Sequence, residues 1–378
     1  MHSNVMATDG AGRGWLMAGR VYRASVLFVV AGIVAGSLAG CGPPSAAGPV
    51  ARLSQTRRIM GVPWVITVHA SDRESGEQAV AAAFAEIERL DGILSDYDAD
   101  SELARLSAAA PTAEPVPVGD DLWRVLVAAE AFRERSGGGF DIAVGPLTKL
   151  WRQSRQSEKL PRPDKLALAR AAVGAGSIEL VIEHQAVRLP KPGTRLDAGG
   201  IGRGYAADRV IKILADHGII SALIDSSGDV LASGPPPGAA GWTITVAPLR
   251  PGGEAESLVL AHAAVTTSGD AYQAVEIGGV RYSHIVDPRT GIGVPGPAAV
   301  TVVAADATTA DALATAASVL GPTAGPALIA SFPGTSARFA WQEAGASQTL
   351  VTPGWPGAGQ RPDERPSVSP GPIASPLP

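Results

Sequence analysis

Asp311-Ala-Leu-Ala-Thr315 sets a carboxylate and a hydroxyl four residues apart, which places them on one face of a helix. Both are hard oxygen donors of the kind Mg2+ takes, a cation that uses few protein ligands and keeps water or phosphate oxygens. The same pair also serves a helix that holds no metal, with Asp311 favouring the dipole and Thr315 bonding back to its own turn. Leu196-Asp-Ala-Gly-Gly-Ile-Gly-Arg-Gly-Tyr205 reads as a strand end, a glycine-rich turn and a helix start. Its four glycines let backbone approach a ligand closely, and a helix N-terminus favours phosphate. The segment is neither a Walker A loop nor a GxGxxG fingerprint, and a tight connection without a ligand would use the same glycines. In Tyr282-Ser-His284-Ile-Val-Asp287-Pro-Arg-Thr-Gly291, His284 sits where a general base or phosphate partner could act. Asp287-Pro-Arg-Thr-Gly291 is turn chemistry in its own right. Ala264–Asp270 ends a strand in small hydroxyl residues, and Gly138–Asp141 and Ser95–Tyr97 offer carboxylates and aromatic rings. No HExxH or comparable zinc spacing is present, nor the GxSxG elbow of a serine hydrolase.

These groups need elements to hold them. Met60–Ala70 ends in a β-rich run and is expected to be a strand. Glu77–Tyr97 carries Val80, Phe84, Ile87, Leu90 and Leu94 at three- and four-residue steps, the pattern of an amphipathic helix. Asp120–Ser136 reads as a second helix, stopped by Gly137-Gly138-Gly139, and Leu166–Ala172 as a short third. Ser177–Leu189 reads as two strands around His184-Gln185. Tyr205–His217 is a helix ended by Gly218. Short strands are expected at Ala222–Asp225, Val230–Ser233, Trp242–Ala247, Ser257–Ala261 and Arg281–Val286. Val300–Ala304 should feed a helix over Ala310–Leu320. Antiparallel-type strands interrupted by helices, without a βαβ rhythm, predict an α+β fold with mixed or antiparallel sheets and packed helices, in a single two-lobed domain.

The 378 residues include 31 basic and 36 acidic side chains, giving a net charge of −5, a balance that argues against nucleic-acid binding. The 45 glycines and 31 prolines exceed average usage, but a 46% apolar content excludes a disordered chain. One cysteine rules out an internal disulfide and CxxC redox chemistry. That cysteine, Cys41, follows Arg13, Arg20, Arg23 and the apolar run Val26–Gly40, too short for a membrane span of about 20 residues. Leu38-Ala39-Gly40-Cys41 resembles the lipobox of bacterial lipoproteins, which implies that Cys41 is lipidated and opens the mature chain. The expected organisation is a signal peptide over 1–40, lipidated cysteine and flexible tether over 41–57, a folded domain over 58–352 and a proline-rich disordered tail over 353–378. The start codon is read as either Met1 or Met17. An anchored, extracytoplasmic location at the bacterial cell membrane follows.

In order, Met60-Gly61, Ser95–Tyr97, Asp100–Leu103, Gly139–Asp141, Leu196–Asp208, Ile224–Gly228, Thr267–Asp270, His284–Gly291 and Asp311–Thr315 resemble the ApbE family, the FAD:protein FMN transferases, over Met60 to about Gly321. The resemblance implies that FAD is the substrate, that its pyrophosphate is split with Mg2+, and that FMN passes to a threonine or serine hydroxyl of an extracytoplasmic target while AMP leaves. It also implies Asp311 and Thr315 as metal ligands, joined by a backbone oxygen at Gly200. Met60, Tyr97, Gly139, Phe140, Asp141, Asp197, Arg203 and Ile285 match positions lining the FAD site. His284 matches a catalytic base or phosphate contact. Two residues depart from the family pattern: Arg203 stands where lysine is usual, exchanging a compact ammonium for a planar fork, and Ser227 replaces a glycine. An FAD pyrophosphatase using water, and a flavin-binding lipoprotein without activity, are the competing readings.

Overall fold

The computed structural model describes residues 50–249, 255–269 and 273–357; the expected signal peptide, Cys41, Asp270 and most of the proline-rich tail lie outside them. The chain opens with a hairpin, β1 (Ala51–Ile59) against β2 (Val62–Ala70), paired along its whole length from Ala51↔Ala70 to Ile59↔Val62. The expected tether over 41–57 is therefore corrected: from Ala51 the chain is sheet. Leu53 and Ile59 are buried between exposed Arg52, Ser54 and Arg57, so the strand's apolar signal is sparse enough to read as a linker.

Helix α1 (Arg73–Leu94) is capped by Asp72, whose side chain accepts from Ser75 N, and buries Val80, Phe84, Ile87, Leu90 and Leu94, the stripe expected from its spacing. It ends at Leu94 rather than Tyr97, because Ser95 turns to extended backbone. This releases Asp96 and Tyr97 into a loop. Then come α2 (Glu102–Ala108), β3 (Val116–Pro117), α3 (Asp120–Arg135), α4 (Gly145–Ser157) and α5 (Pro163–Ala171). Strands β4 (Glu179–Val181) and β5 (Ala186–Arg188) join β3 in a small sheet. Helix α6 (Gly202–Asp216) follows the glycine-rich turn.

Beyond α6 lie β6 (Ser221–Ser226), β7 (Asp229–Ala232), β8 (Trp242–Val246), β9 (Glu256–Leu260), β10 (Ala263–Gly269), β11 (Ala274–Ile277), β12 (Val280–Val286), β13 (Gly293–Pro295) and β14 (Ala298–Ala304). Helix α7 (Ala307–Ala330), kinked at Gly321, and the hairpin β15 (Ser336–Glu343) and β16 (Ala346–Val351) complete the described chain. An antiparallel sheet ordered β1-β2-β6-β7-β10-β14-β15-β16 forms the frame, with β11-β12-β13 and β8-β9 as smaller sheets. The fold is α+β. Its main core is built by Trp64, Ile66, Phe84, Leu122, Val210, Ile224, Val302, Leu313 and Phe339, all essentially inaccessible to solvent.

The expected domain end at Thr352 is also corrected. Trp355 is buried with Trp242, Ile244, Val246, Leu258 and Leu260 on the β8-β9 sheet, and its indole N–H donates to Glu256 Oε1 at 3.0 Å. One aromatic residue among prolines and glycines holds the chain to the fold through Gly357.

Candidate functional site

The turn from β6 into β7 shows how the sequence shapes the site's surroundings. Ser227 and Gly228 have φ of 60° and 97°, the pair of positive values that a two-residue I′ hairpin turn requires. Ser227 thus takes a backbone conformation suited to glycine, at a cost of about 1 kcal/mol. The strand that follows begins at Asp229, which is buried and forms an ion pair with Arg203 (Nη2 to Oδ2, 2.6 Å).

Arg203 stands on the first turn of α6 because the glycines bring that helix against α7. A Cβ on Gly204 would lie 2.2 Å from Ala307 O, and one on Gly200 would lie 2.9 Å from Thr315 Oγ1. The close approach lets Gly204 N donate to Asp311 Oδ2 at 3.1 Å. Asp208, one helical turn further on α6, accepts from Ala307 N (2.8 Å), Thr308 N (2.9 Å) and the Thr308 hydroxyl (2.5 Å), closing the N-terminus of α7. Burial pushes the Asp208 carboxyl up to about 6, helped by Asp306.

Asp311 is 1% exposed. Burial, then the nearby Asp229 carboxylate, push it up to about 7; Arg203 and the Gly204 N–H oppose them without cancelling them. Asp229 is raised by its own burial. Two buried carboxylates thus share one guanidinium, a deficit of positive charge that a divalent cation would fill. The donors at hand, a carboxylate, the Thr315 hydroxyl and main-chain oxygen, are all oxygens suited to Mg2+. Among the described residues no group of three or more His, Cys, Asp or Glu is placed to hold a metal ion.

In front of this turn lies a cavity of about 780 Å3, the size that takes a large cofactor. Met60, Tyr97, Gly139, Phe140, Asp141, Asp197, Gly200, Arg203, His284, Ile285 and Thr315 all line it. Sequence reasoning therefore brought residues from six separate segments to one place. Asp311 is the exception: it lies behind the glycine-rich turn, reaching it through Gly204 N.

Not every side chain faces the cavity in the way its match implied. Asp141 is engaged by backbone, accepting from Ala143 N at 2.8 Å and Gly174 N at 2.9 Å, and burial raises its carboxyl. It shapes the turn that carries Phe140. Asp197 Oδ1 accepts from Gly199 N at 2.9 Å, while Oδ2 takes the Thr148 hydroxyl at 2.7 Å and Arg152 at 3.2 Å. His284, on β12, donates its backbone N–H to Gln273 O at 3.0 Å. Asp287 is held by Arg289 through its backbone and guanidinium, as turn chemistry predicts.

Sequence reasoning missed the groups on α4. Arg152 reaches Asp96 Oδ2 with both terminal nitrogens at 3.0 Å, touches Asp197, and lies 4.5 Å above the Tyr97 ring. It ties the loop after α1 to the turn before α6. Burial, then the Asp197 charge, raise Asp96, against the pull of Arg152. Tyr97 itself is 77% exposed at the cavity mouth. Gly145-Pro146 opens α4 with proline in its first turn, a start signal, but its buried face of Leu147, Trp151 and Ser154 is too sparsely apolar to mark a helix.

The ApbE family model matches residues 60–339. The FAD:protein FMN transferase of Treponema pallidum (strain Nichols) is 33% identical over 345 residues, covering 84% of this chain and 92% of its own. That of Klebsiella pneumoniae (strain 342) is 30% identical over 272 residues, covering 70% and 77%. Among solved structures, the apo flavinyl transferase ApbE of Pseudomonas stutzeri superposes with a TM-score of 0.72 at 29% identity, over 80% of this chain and 95% of that one. The glycine-rich turn, the cavity and the Asp311–Thr315 helix all fall within the matched span, and the chain belongs to the ApbE family.

Proposed function

We propose that this protein is an FAD:protein FMN transferase that uses Mg2+ to move FMN from FAD onto a threonine or serine hydroxyl of an extracytoplasmic protein. The observation that carries the reading is the buried Asp311 under a glycine-rich turn that opens into the large cavity. Relatives named for this activity support it over most of the chain.

FAD occupies the cavity, with its flavin and adenine packed among Met60, Tyr97, Phe140 and Ile285. The main chain at Gly199 and Gly200 holds the pyrophosphate, since glycines there allow the closest backbone approach. Asp311, Thr315 and the Gly200 carbonyl would hold Mg2+, which when bound would neutralise the pyrophosphate charge. The acceptor hydroxyl oxygen attacks the FMN-side phosphorus, and the bond from that phosphorus to the bridging oxygen breaks. AMP leaves with the bridging oxygen. His284, at the cavity wall, takes the hydroxyl proton. Arg203 is committed to Asp229, so its role is to offset the buried acids behind the phosphates. Arg152 fixes Asp197 and Tyr97 in place. Catalysis here rests on positioning and charge and needs no covalent enzyme intermediate.

The lipobox-like Leu38–Cys41 supports the further reading that Cys41 is lipidated and that the reaction runs on the outer side of the cell membrane. The test incubates residues 42–378 with FAD, Mg2+ and a redox-protein domain from the same cell. Covalent flavin fluorescence on the domain with one AMP released per label is expected. AMP and free FMN without a labelled domain would replace transfer by hydrolysis, and bound but intact FAD would exclude both. Asp311→Ala should lower AMP release by about 100-fold or more, the scale of lost metal stabilisation; native turnover in that variant would remove Asp311 from the site.

A further inference from the structure

A second substrate as large as a protein must reach the cavity from outside, and among the described residues a groove leads there. It measures about 620 Å3, is lined by Arg155, Gln156, Glu158, Ala274, Val275 and Glu276, and shares Tyr97, Arg152 and Arg155 with the cavity mouth. One wall is the C-terminal end of α4. The other is β11, which is the edge strand of its sheet and pairs, among the described residues, only with β12.

The register decides which backbone groups face the groove. His284 N donates to Gln273 O, and the antiparallel partners continue as Ala274↔Ser283, Val275↔Tyr282, Glu276↔Arg281 and Ile277↔Val280. Hydrogen-bonded pairs alternate in an antiparallel ladder. Val275 and Ile277 therefore bond to β12, while the N–H and C=O of Ala274 and Glu276 point to the open edge. An edge of this kind is a template for another extended chain. The groove's lining carries both signs of charge, from Arg152, Arg155, Glu158 and Glu276, beside the apolar Ala274 and Val275, a mix that suits a hydrated main chain better than an apolar helix face.

We propose that the acceptor segment of the target protein docks here in extended form, adding a strand to β11 through the outward backbone groups of Ala274 and Glu276, and so enters the cavity past Tyr97. This rests on the transferase reading above and names its second substrate's mode of binding: a β-strand addition, in which main-chain bonds give affinity and the cavity selects the hydroxyl.

The probe is an acceptor domain that the native protein labels with FMN; failure of the native protein to label any acceptor would overturn the transferase reading itself. With such a domain, Glu276→Pro removes one outward N–H and spares the β12 ladder. Acceptor KM is expected to rise roughly five- to tenfold, the scale of one main-chain hydrogen bond, while FAD affinity measured by fluorescence quenching stays at the native value. Hydrogen exchange on the native protein gives a second measure that no folding defect can blur. The Ala274 and Glu276 amides should exchange quickly with FAD alone and slow when saturating acceptor is added. Unchanged exchange at both amides, or native acceptor KM in a Glu276→Pro protein that binds FAD normally, would place the acceptor elsewhere.

Discussion

On the proposed reading, a proton and Mg2+ would compete for the buried Asp311 carboxylate. Its folded value of about 7 stands above the unfolded 3.8, so without metal the folded state binds the extra proton. The sign follows: this group's contribution to stability is greatest below about pH 4 and falls as pH rises towards about 7. Mg2+ requires the ionised form, so its affinity should strengthen over the same range. The expected result is a Mg2+-induced rise in Tm that grows from about pH 5.5 to about pH 7.5 and disappears in Asp311→Asn; a rise independent of pH, or one surviving in that variant, would contradict the assignment. Ser227 gives a separate prediction. Its φ of 60° is relieved in Ser227→Gly, which should gain about 1 kcal/mol in chemical denaturation; a loss of stability would mean that the serine side chain repays the strain. At this scale the sequence was most legible in which segments meet: Thr315 and the glycine-rich turn line the cavity, and Asp311 lies directly behind that turn. It was less legible at Asp141, which lines the cavity but whose carboxylate also accepts from two backbone amides, a structural duty that the residue type does not announce.

The elements explain why the turn is where it is. Helices α1, α3 and α6 are bound by a charged network. Arg89 reaches Glu86 at 2.8 Å and Asp121 at 2.6 Å, Arg209 reaches Glu86 at 3.1 Å, and the Tyr205 hydroxyl donates to Asp121 at 2.6 Å. Since α6 carries the glycine-rich turn on its N-terminus, the network fixes the site's floor from behind. Tyr205→Phe leaves a buried carboxylate oxygen without that donor and should cost about 1–3 kcal/mol in urea unfolding; an unchanged midpoint would show that water replaces the bond. Gly204→Ala is the stricter test of the α6–α7 contact, because the clash is with Ala307 backbone. It should lose Mg2+ binding while keeping the far-UV spectrum of the fold, and native Mg2+ affinity would refute the close-approach argument. Helices α1 and α3 were legible from spacing and caps. Helix α4 was not, because few of its residues are apolar and its buried face is Leu147, Trp151 and Ser154. That omission also hid Arg152 and the link it makes between Tyr97 and Asp197.

In the whole molecule, the described fold begins and ends further out than the sequence announces, with β1 from Ala51 and Trp355 buried beyond the last strand. Strand β1 needs β2 to reveal it, and Trp355 needs the β8–β9 sheet; both are non-local pairings that a sliding reading of the chain does not see. Trp355→Ala should cost about 3–5 kcal/mol, as expected for a buried large aromatic, read as an earlier unfolding transition; retention of the native transition would return 353–357 to the tail. For the anchor, Cys41→Ser should move the protein from the membrane pellet to the soluble fraction, and its persistence in the pellet would remove lipidation from the account. In the proposed reaction the cavity, the glycine-rich turn and Asp311 together transfer FMN to a protein hydroxyl. Intact-mass measurement of the acceptor after incubation with the native protein, FAD and Mg2+ tests it most directly. The account predicts a mass increase equal to one FMN less one water on a threonine or serine, absent with Asp311→Ala; an acceptor of unchanged mass alongside released AMP would contradict it.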